Sequence, residues 1–295
     1  MSPGTDAIRR ERRGFVLIEL VCILVTLAMF ITIASSASRN LREKTYVTVD
    51  LANLRQILRG SAIYNSDNEG RMAHPTWGSD LTGPDGWAYL TANKGRVPGA
   101  ASVPGSCAGR DVNTAQFTNQ LAFFKKGQVT QHLPDVKTAW CPKDVATRGQ
   151  GPGSQSLRAK WLTRPVKVTS YAWNGTLGGY PGRANPIPNG LTYKVSQFLP
   201  TDWQMWEADD RDGFNFNDAA DNPENTQESQ SLRHTSLRNW WIFSTQQSKR
   251  ALGGGAVVGT FDGAAKMVQW SKVYDLRTRR IPSPNEIMSG PQYRF

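Results

Sequence analysis

Glu19 is a carboxylate in a place where a charge is costly. It lies in residues 15–34, FVLIELVCILVTLAMFITIA, where seventeen of twenty positions are apolar and only Glu19, Thr26 and Thr32 are not. A charged side chain at bilayer depth costs roughly 2.5–3.5 kcal/mol on insertion scales, so a purely mechanical anchor would avoid it. The charge becomes useful if the chain is cut between Gly14 and Phe15. Phe15 would then carry a new α-amine. Glu19 would lie four residues along the same helix face, or beside the amine of a neighbouring copy. Two other readings need no cut there: a secretory signal removed near Ala34-Ser35-Ser36-Ala37, and a plain membrane anchor. Neither gives Glu19 a task.

The remaining candidate chemistry is sparser. Residues 202–228 hold nine acids against Arg211, a net of −8. Within them Asp209-Asp210-Arg211-Asp212-Gly213 offers hard oxygens in a loop, which suits Ca²⁺, but without the ligand spacing of an EF-hand. A solvated loop, or one paired with basic residues further on, is the plainer reading. Cys107 and Cys141 form a candidate disulfide across 33 intervening residues, and closing that loop would contribute roughly 3–4 kcal/mol. Sequence leaves the pairing open. Cys22, inside the apolar run, reads as a small hydrophobe. His74, His132 and His234 are scattered, and none is assigned to a metal. His234 with Asp262 could suggest acid–base or metal chemistry, yet no nucleophile, phosphate loop or His-x-x-x-His spacing accompanies them. His234 therefore reads as a structural histidine beside a hairpin turn, and the chain as non-enzymatic, with no cofactor beyond the candidate calcium.

The elements that must position these residues follow from pattern. Residues 1–14 form a polar leader with Arg9, Arg10, Arg12 and Arg13 near its end. Residues 15–34 are long enough, at about 1.5 Å per residue, to cross a hydrocarbon core of roughly 30 Å. The arginines hold the N-terminus in the cytoplasm, so everything after the span is exported. Residues 35–64 contain no Pro, and no Gly before Gly60; Val47, Leu51, Leu54 and Leu58 recur at helical spacing, which predicts an amphipathic continuation of the same helix. From 65 to 295 Asn, Gly, Pro and Trp dominate, and the region reads as one α+β domain. A short helix is expected at 116–126, and strands at 169–173, 191–198, 203–207 and 240–244. Two apolar runs around Asp262-Gly263 predict a tight hairpin, because both central residues tolerate positive φ.

Arg13-Gly14-Phe15-Val16-Leu17-Ile18-Glu19-Leu20 resembles the prepilin processing motif of type IV pilins and type II secretion pseudopilins. The resemblance implies cleavage after Gly14 by a prepilin peptidase, N-methylation of Phe15, and a role for Glu19 in filament assembly. Val16 stands where Thr or Ser is more frequent, and Cys22 where an aliphatic residue is usual. Further along, Trp140-Cys141-Pro142-Lys143-Asp144, Ser170-Tyr171-Ala172-Trp173-Asn174-Gly175, and Arg233-His234 with Phe261-Asp262-Gly263 resemble segments of a large pseudopilin-like subfamily abundant in planctomycetes. There the His and the Asp-Gly stand much closer; here 27 residues separate them, so a loop containing residues 253–255 reads as inserted. The family implies a pilin-like fold, a long N-terminal helix packed on an antiparallel sheet with a loop-rich C-terminal part. It implies a single-pass inner-membrane protein with a periplasmic domain, and as partners other pilin or pseudopilin subunits and the inner-membrane secretion platform. Major type II pseudopilins carry a calcium-stabilised loop, which keeps Asp209, Asp210 and Asp212 as candidate ligands.

Composition bounds these readings. The 295 residues carry 35 Lys and Arg against 24 Asp and Glu, a net of +11, with three Cys and three His. Collagen, coiled coil and full disorder are excluded. Low mean hydropathy excludes a polytopic membrane protein, and Cys and His are too few for a disulfide scaffold or a zinc cluster. The basic residues beyond 229, with Trp240, Trp241 and Trp270 among them, could form a surface for single-stranded nucleic acid. Ten Trp could likewise mark a polysaccharide-binding face. The plainer expectation is that acidic and basic blocks pair between subunits of a filament. Nucleic acid is not expected as a partner.

Overall fold

The computed structural model describes residues 17–75, 85–89, 115–178, 191–211, 213–216, 218–225, 228–235, 240, 251–278 and 280–291. The chain divides into two units, Met1–Thr45 and Tyr46–Phe295. In the first, the described residues belong to helix α1 (Leu17–Asp67). Its large apolar side chains, from Leu17, Ile18 and Leu20 through Phe30, Ile31 and Ile33, are exposed on every side. The helix is long and apolar enough to cross a membrane. Thr26 and Thr32 return their hydroxyls to carbonyls of the preceding turn, Thr26 to Cys22 and Ile23, Thr32 to Met29, so neither leaves a donor for lipid to satisfy.

The second unit is α+β. Its sheet has the order β3-β1-β2-β4-β5, from β1 (Tyr171–Asn174), β2 (Trp203–Glu207), β3 (Ala220–Asp221), β4 (Gly255–Thr260) and β5 (Ala265–Gln269). The β1–β2, β2–β4 and β4–β5 pairs are antiparallel, but β1–β3 is parallel. The sheet is therefore mixed, where an antiparallel one was expected. The unit also holds helices α2 (Ala115–Phe124), α3 (Pro142–Thr147), α4 (Leu157–Thr163) and α5 (Trp270–Arg277), of which α5 packs on β4 and β5.

The two sheet faces bury different sets. Leu54, Ile57 and Leu58 of α1 join Met205 and Val257 in one core. Trp203, Trp206, Val258, Trp270 and Val273 form the other. Gly259 admits the helix: a Cβ there would stand 2.9 Å from Leu58 Cδ1 and 3.3 Å from Leu54 Cγ. Residues 203 and 206 would face opposite sides of a regular strand. A register shift between Trp203 and Met205 inserts the extra residue that turns both rings to one side, where they meet edge-to-face at 6.4 Å.

The hairpin forms, though not as a two-residue turn. Gly263 N donates to Thr260 O at 2.9 Å, Thr260 N donates to Ala264 O at 2.9 Å, and Gly263 takes φ +81°. That is a three-residue loop with glycine in the left-handed position, in which only Gly263 needs positive φ. Asp262 Oδ1 accepts from Thr260 Oγ1 and Ala264 N. Residues 191–198 hold a 3-10 turn (Val195–Gln197) and one isolated bridge from Lys194 to Arg71, not the expected strand. Of 240–244 only Trp240 is among the described residues.

Leu54→Ala should lower stability by about 2–5 kcal/mol, since the sheet cannot collapse onto the lost volume. Urea unfolding of the full chain in detergent, followed by emission of its buried tryptophans, measures it.

Candidate functional site

Where α1 meets the sheet, the core is ionic. Asp50 falls on the inner stripe of α1, in step with Leu54 and Ile57, and is fully buried. Beneath it the β1–β2 register sets Tyr171 directly beside Glu207. Cys141 caps the N-terminus of α3, with Pro142 at the first helical position, where a missing N–H costs nothing. His234 is held by a close backbone approach: Thr235 bridges Gly254, Gly254 takes φ +88°, and a Cβ there would stand 2.0 Å from His234 O. Gly254 thus fixes the histidine backbone.

One potential ligand atom from each of Asp50, Cys141, Glu207 and His234 lies within 4.8 Å of all the others. His234 Nε2 is 3.4 Å from Asp50 Oδ2, 3.4 Å from Glu207 Oε2 and 3.6 Å from Cys141 Sγ. The outer oxygens have their own donors: Tyr171 Oη to Asp50 Oδ1, and Arg233 Nη1 to Glu207 Oε1 at 2.7 Å. The inner ones, Asp50 Oδ2 and Glu207 Oε2, make no hydrogen bond, nor does His234 Nδ1.

Arg233, with no exposed surface, links this cluster to a second one. It pairs with Glu207 and Asp210. Asp210 also accepts from Arg164 Nη2 at 2.6 Å, and Arg164 Nη1 reaches Asp144 at 3.1 Å. Ser170 Oγ donates to Asp144 Oδ2. The arginine planes rest on aromatic faces, Arg148 over Trp161 at 4.4 Å and Arg164 over Phe216 at 3.7 Å, which suits weakly hydrated guanidinium. Lys167 is buried nearby and donates Nζ to the carbonyls of Trp161, Leu162 and Arg164, closing the C-terminus of α4.

Burial and charge compete at each group. Burial raises Asp50 to about 6, and the Glu207 charge adds to this. Burial opposes ionisation of Glu207 too, yet His234 and Arg233 hold it at about 2. Burial opposes a charge on His234, and Glu207 with Asp50 overcomes it, carrying His234 to about 9. Burial and the two carboxylates push the Cys141 thiol well up. His74 is different: burial alone lowers it to about 4. Its backbone N–H donates to Gln128 Oε1.

Sequence reasoning found some of these residues and misassigned others. Gly14, Phe15, Cys107 and Asp212 lie outside the described residues. Glu19 sits in the exposed first turn of α1. Cys141 is a free thiol. Asp209 and Asp210 do not converge as a calcium chelate: Asp209 receives Arg211 and Ser229 Oγ, while Asp210 receives Arg164 and Arg233. Guanidinium supplies the positive charge there. His234 is no turn histidine, since Asp262 lies at the other end of β4. The acidic and basic blocks also pair inside one chain, as Arg233 shows. Eight tryptophans, Trp240 and Trp270 included, are buried and so present no stacking platform; Trp77 and Trp241 lie outside the described residues. Asp50, Glu207 and Tyr171 were missed. The available signal was Asp50 itself, a charge on an otherwise apolar helical stripe. Comparison of the chain with protein-family models, curated proteins and solved structures finds no match.

Replacing Arg233 by Met should cost about 3–5 kcal/mol, because Glu207 and Asp210 would stay buried without their cation; urea unfolding reads this. His74 should contribute acid sensitivity between pH 6.5 and 4. The unfolded chain binds its proton near 6.5 and the folded chain near 4, so between those values the unfolded state holds more protons. His74 should thus contribute fully above pH 6.5 and lose on the order of 3 kcal/mol as pH falls to 4. His74→Gln should flatten that part of the stability–pH curve.

Proposed function

We propose that this chain is a non-enzymatic subunit of a type IV pilus-like or type II secretion filament, cut after Gly14, methylated at Phe15 and assembled from the membrane. The carrying observation is the helix. Its first part is apolar on all sides with one carboxylate in its first turn, and its second part is the amphipathic spine of an α+β domain. A helix apolar all round needs lipid or other apolar helices about it, and a filament core built from such helices supplies the second once the first is left. A carboxylate in either setting is stabilised by a cation. The α-amine created at Phe15, its own or a neighbour's, provides one without adding a basic side chain to the span. The partners are a prepilin peptidase, further pilin or pseudopilin subunits, and an inner-membrane assembly platform. The domain stands on the periplasmic side, and its work in the filament is mechanical or adhesive.

Intact mass of the chain isolated from membranes of a host carrying the peptidase should show loss of residues 1–14 and one added methyl group at Phe15. Retention of Met1 with unmodified Phe15 would sink the reading. Glu19→Ala should leave cleavage unchanged and reduce recovery in sheared filaments about tenfold or more, the factor set by about 1.4 kcal/mol per contact. Undiminished incorporation would remove Glu19 from assembly.

A further inference from the structure

We propose that Asp50, Cys141, Glu207 and His234 bind one Zn²⁺ in a closed, tetrahedral, structural site that fastens α1 to the sheet. The inference is independent of the filament reading and rests on four observations.

The first is distance. With Zn–N and Zn–O near 2.0–2.1 Å and Zn–S near 2.3 Å, a tetrahedron has N–O edges of about 3.3–3.4 Å and N–S edges of about 3.6 Å. From His234 Nε2 the cluster shows 3.4, 3.4 and 3.6 Å to its two carboxylate oxygens and its sulfur. A hydrogen-bonded cluster would differ. Charge-assisted N–H···O contacts close to about 2.7–2.9 Å, and a single Nε2–H cannot point at three acceptors.

The second is the division of oxygens. Asp50 and Glu207 each give one oxygen to an outside donor, Tyr171 and Arg233 respectively. Each keeps the other oxygen buried and without a hydrogen bond, set 3.4 Å from His234 Nε2. Leaving two such atoms unmet costs about 1–3 kcal/mol each or more. Monodentate ligation with a hydrogen bond to the free oxygen is the arrangement that outer-shell partners give a metal carboxylate.

The third is charge. With a metal bound, Cys141 would be a thiolate and His234 a neutral imidazole, so the four ligands would bring three negative charges into a dry core. A divalent cation removes two, and Arg233 against Glu207 balances the third. Charges buried this deeply are paired or ligate metals.

The fourth is ligand type. One sulfur, one imidazole and two oxygens suit Zn²⁺, whereas Ca²⁺ and Mg²⁺ take all-oxygen sets of six or more. All four residues are buried, so no position faces water or a substrate, as in structural rather than catalytic zinc.

The test uses the full chain in detergent, made without a metal-binding tag in zinc-supplemented cells and freed of loose metal by gel filtration. Elemental analysis should give one zinc per chain. Stripping with a strong chelator and adding Co²⁺ to the wild type should give intense visible absorption of tetrahedral cobalt, with a thiolate-to-cobalt band in the near ultraviolet. Excess Ca²⁺ should not displace it. Cys141→Ser should abolish the thiolate band, and His234→Ala should reduce zinc at least about tenfold, while Asp262→Asn, at the far end of β4, keeps the full complement. Because either ligand variant could fail to fold, the decisive measurement is on the wild type. A folded wild-type chain with less than about a tenth of an equivalent of zinc and no cobalt spectrum overturns the proposal. So does zinc that survives both ligand substitutions.

Discussion

Arg233 is a guanidinium with no contact with water, and much of the α+β unit is arranged around that fact. A buried cation of this kind is tolerable only if carboxylates reach it in good geometry and their remaining lone pairs are met as well. Glu207 comes from a central strand, Asp210 from the segment that follows it, and Arg164 and Asp144 extend the alternation of charge outward. Removing any one leaves its neighbours exposed to a low dielectric. The ionic core therefore behaves as one unit, and its weight lies in fixing which segments meet rather than in net stabilisation. The two hydrophobic cores on the sheet faces are more forgiving, because methylenes have no partners to lose.

Helix α1 sets the second constraint, since one element must satisfy two environments. Along its exposed start the threonines fold their hydroxyls onto the backbone, and no apolar face is distinguished from another. From Asp50 onward the helix is ordinary amphipathic protein, with Leu54, Ile57 and Leu58 inward. The change lies in composition alone, without a proline or glycine to mark it. In the proposed filament subunit, that continuity lets a lipid-soluble segment and a water-soluble domain share one spine.

Much of this architecture was legible in the sequence, and what was not has identifiable causes. The α1 stripe, strand β2 and the β4–β5 hairpin are local patterns, and they stand within a few residues of expectation. The short helices α3 and α4 were not foreseen, because six or seven residues carry too little periodicity. The parallel β1–β3 pair was not foreseen either, since two residues of strand announce nothing. The acidic block was visible, but a charge count cannot distinguish a solvated loop from buried partners of Arg233. Asp50, Cys141, Glu207 and His234 escaped for a related reason. They share no spacing, and two of them are carboxylates, so a search keyed to Cys and His passes over them. Only register and chain crossing bring them together.

That dispersal has a consequence for the order of events as the chain is made. Asp50 and Tyr171 meet across 121 positions, and Cys141 and His234 across 93. A chain delivered N-terminus first presents its helix long before the residues that neutralise and cover it arrive. Contacts this distant close late and together, because the entropy of the intervening loops must be overcome before any of them is gained. The α+β unit thus gains little of its ionic core from α1 alone. That core can close only once His234 and the glycines behind it have been made.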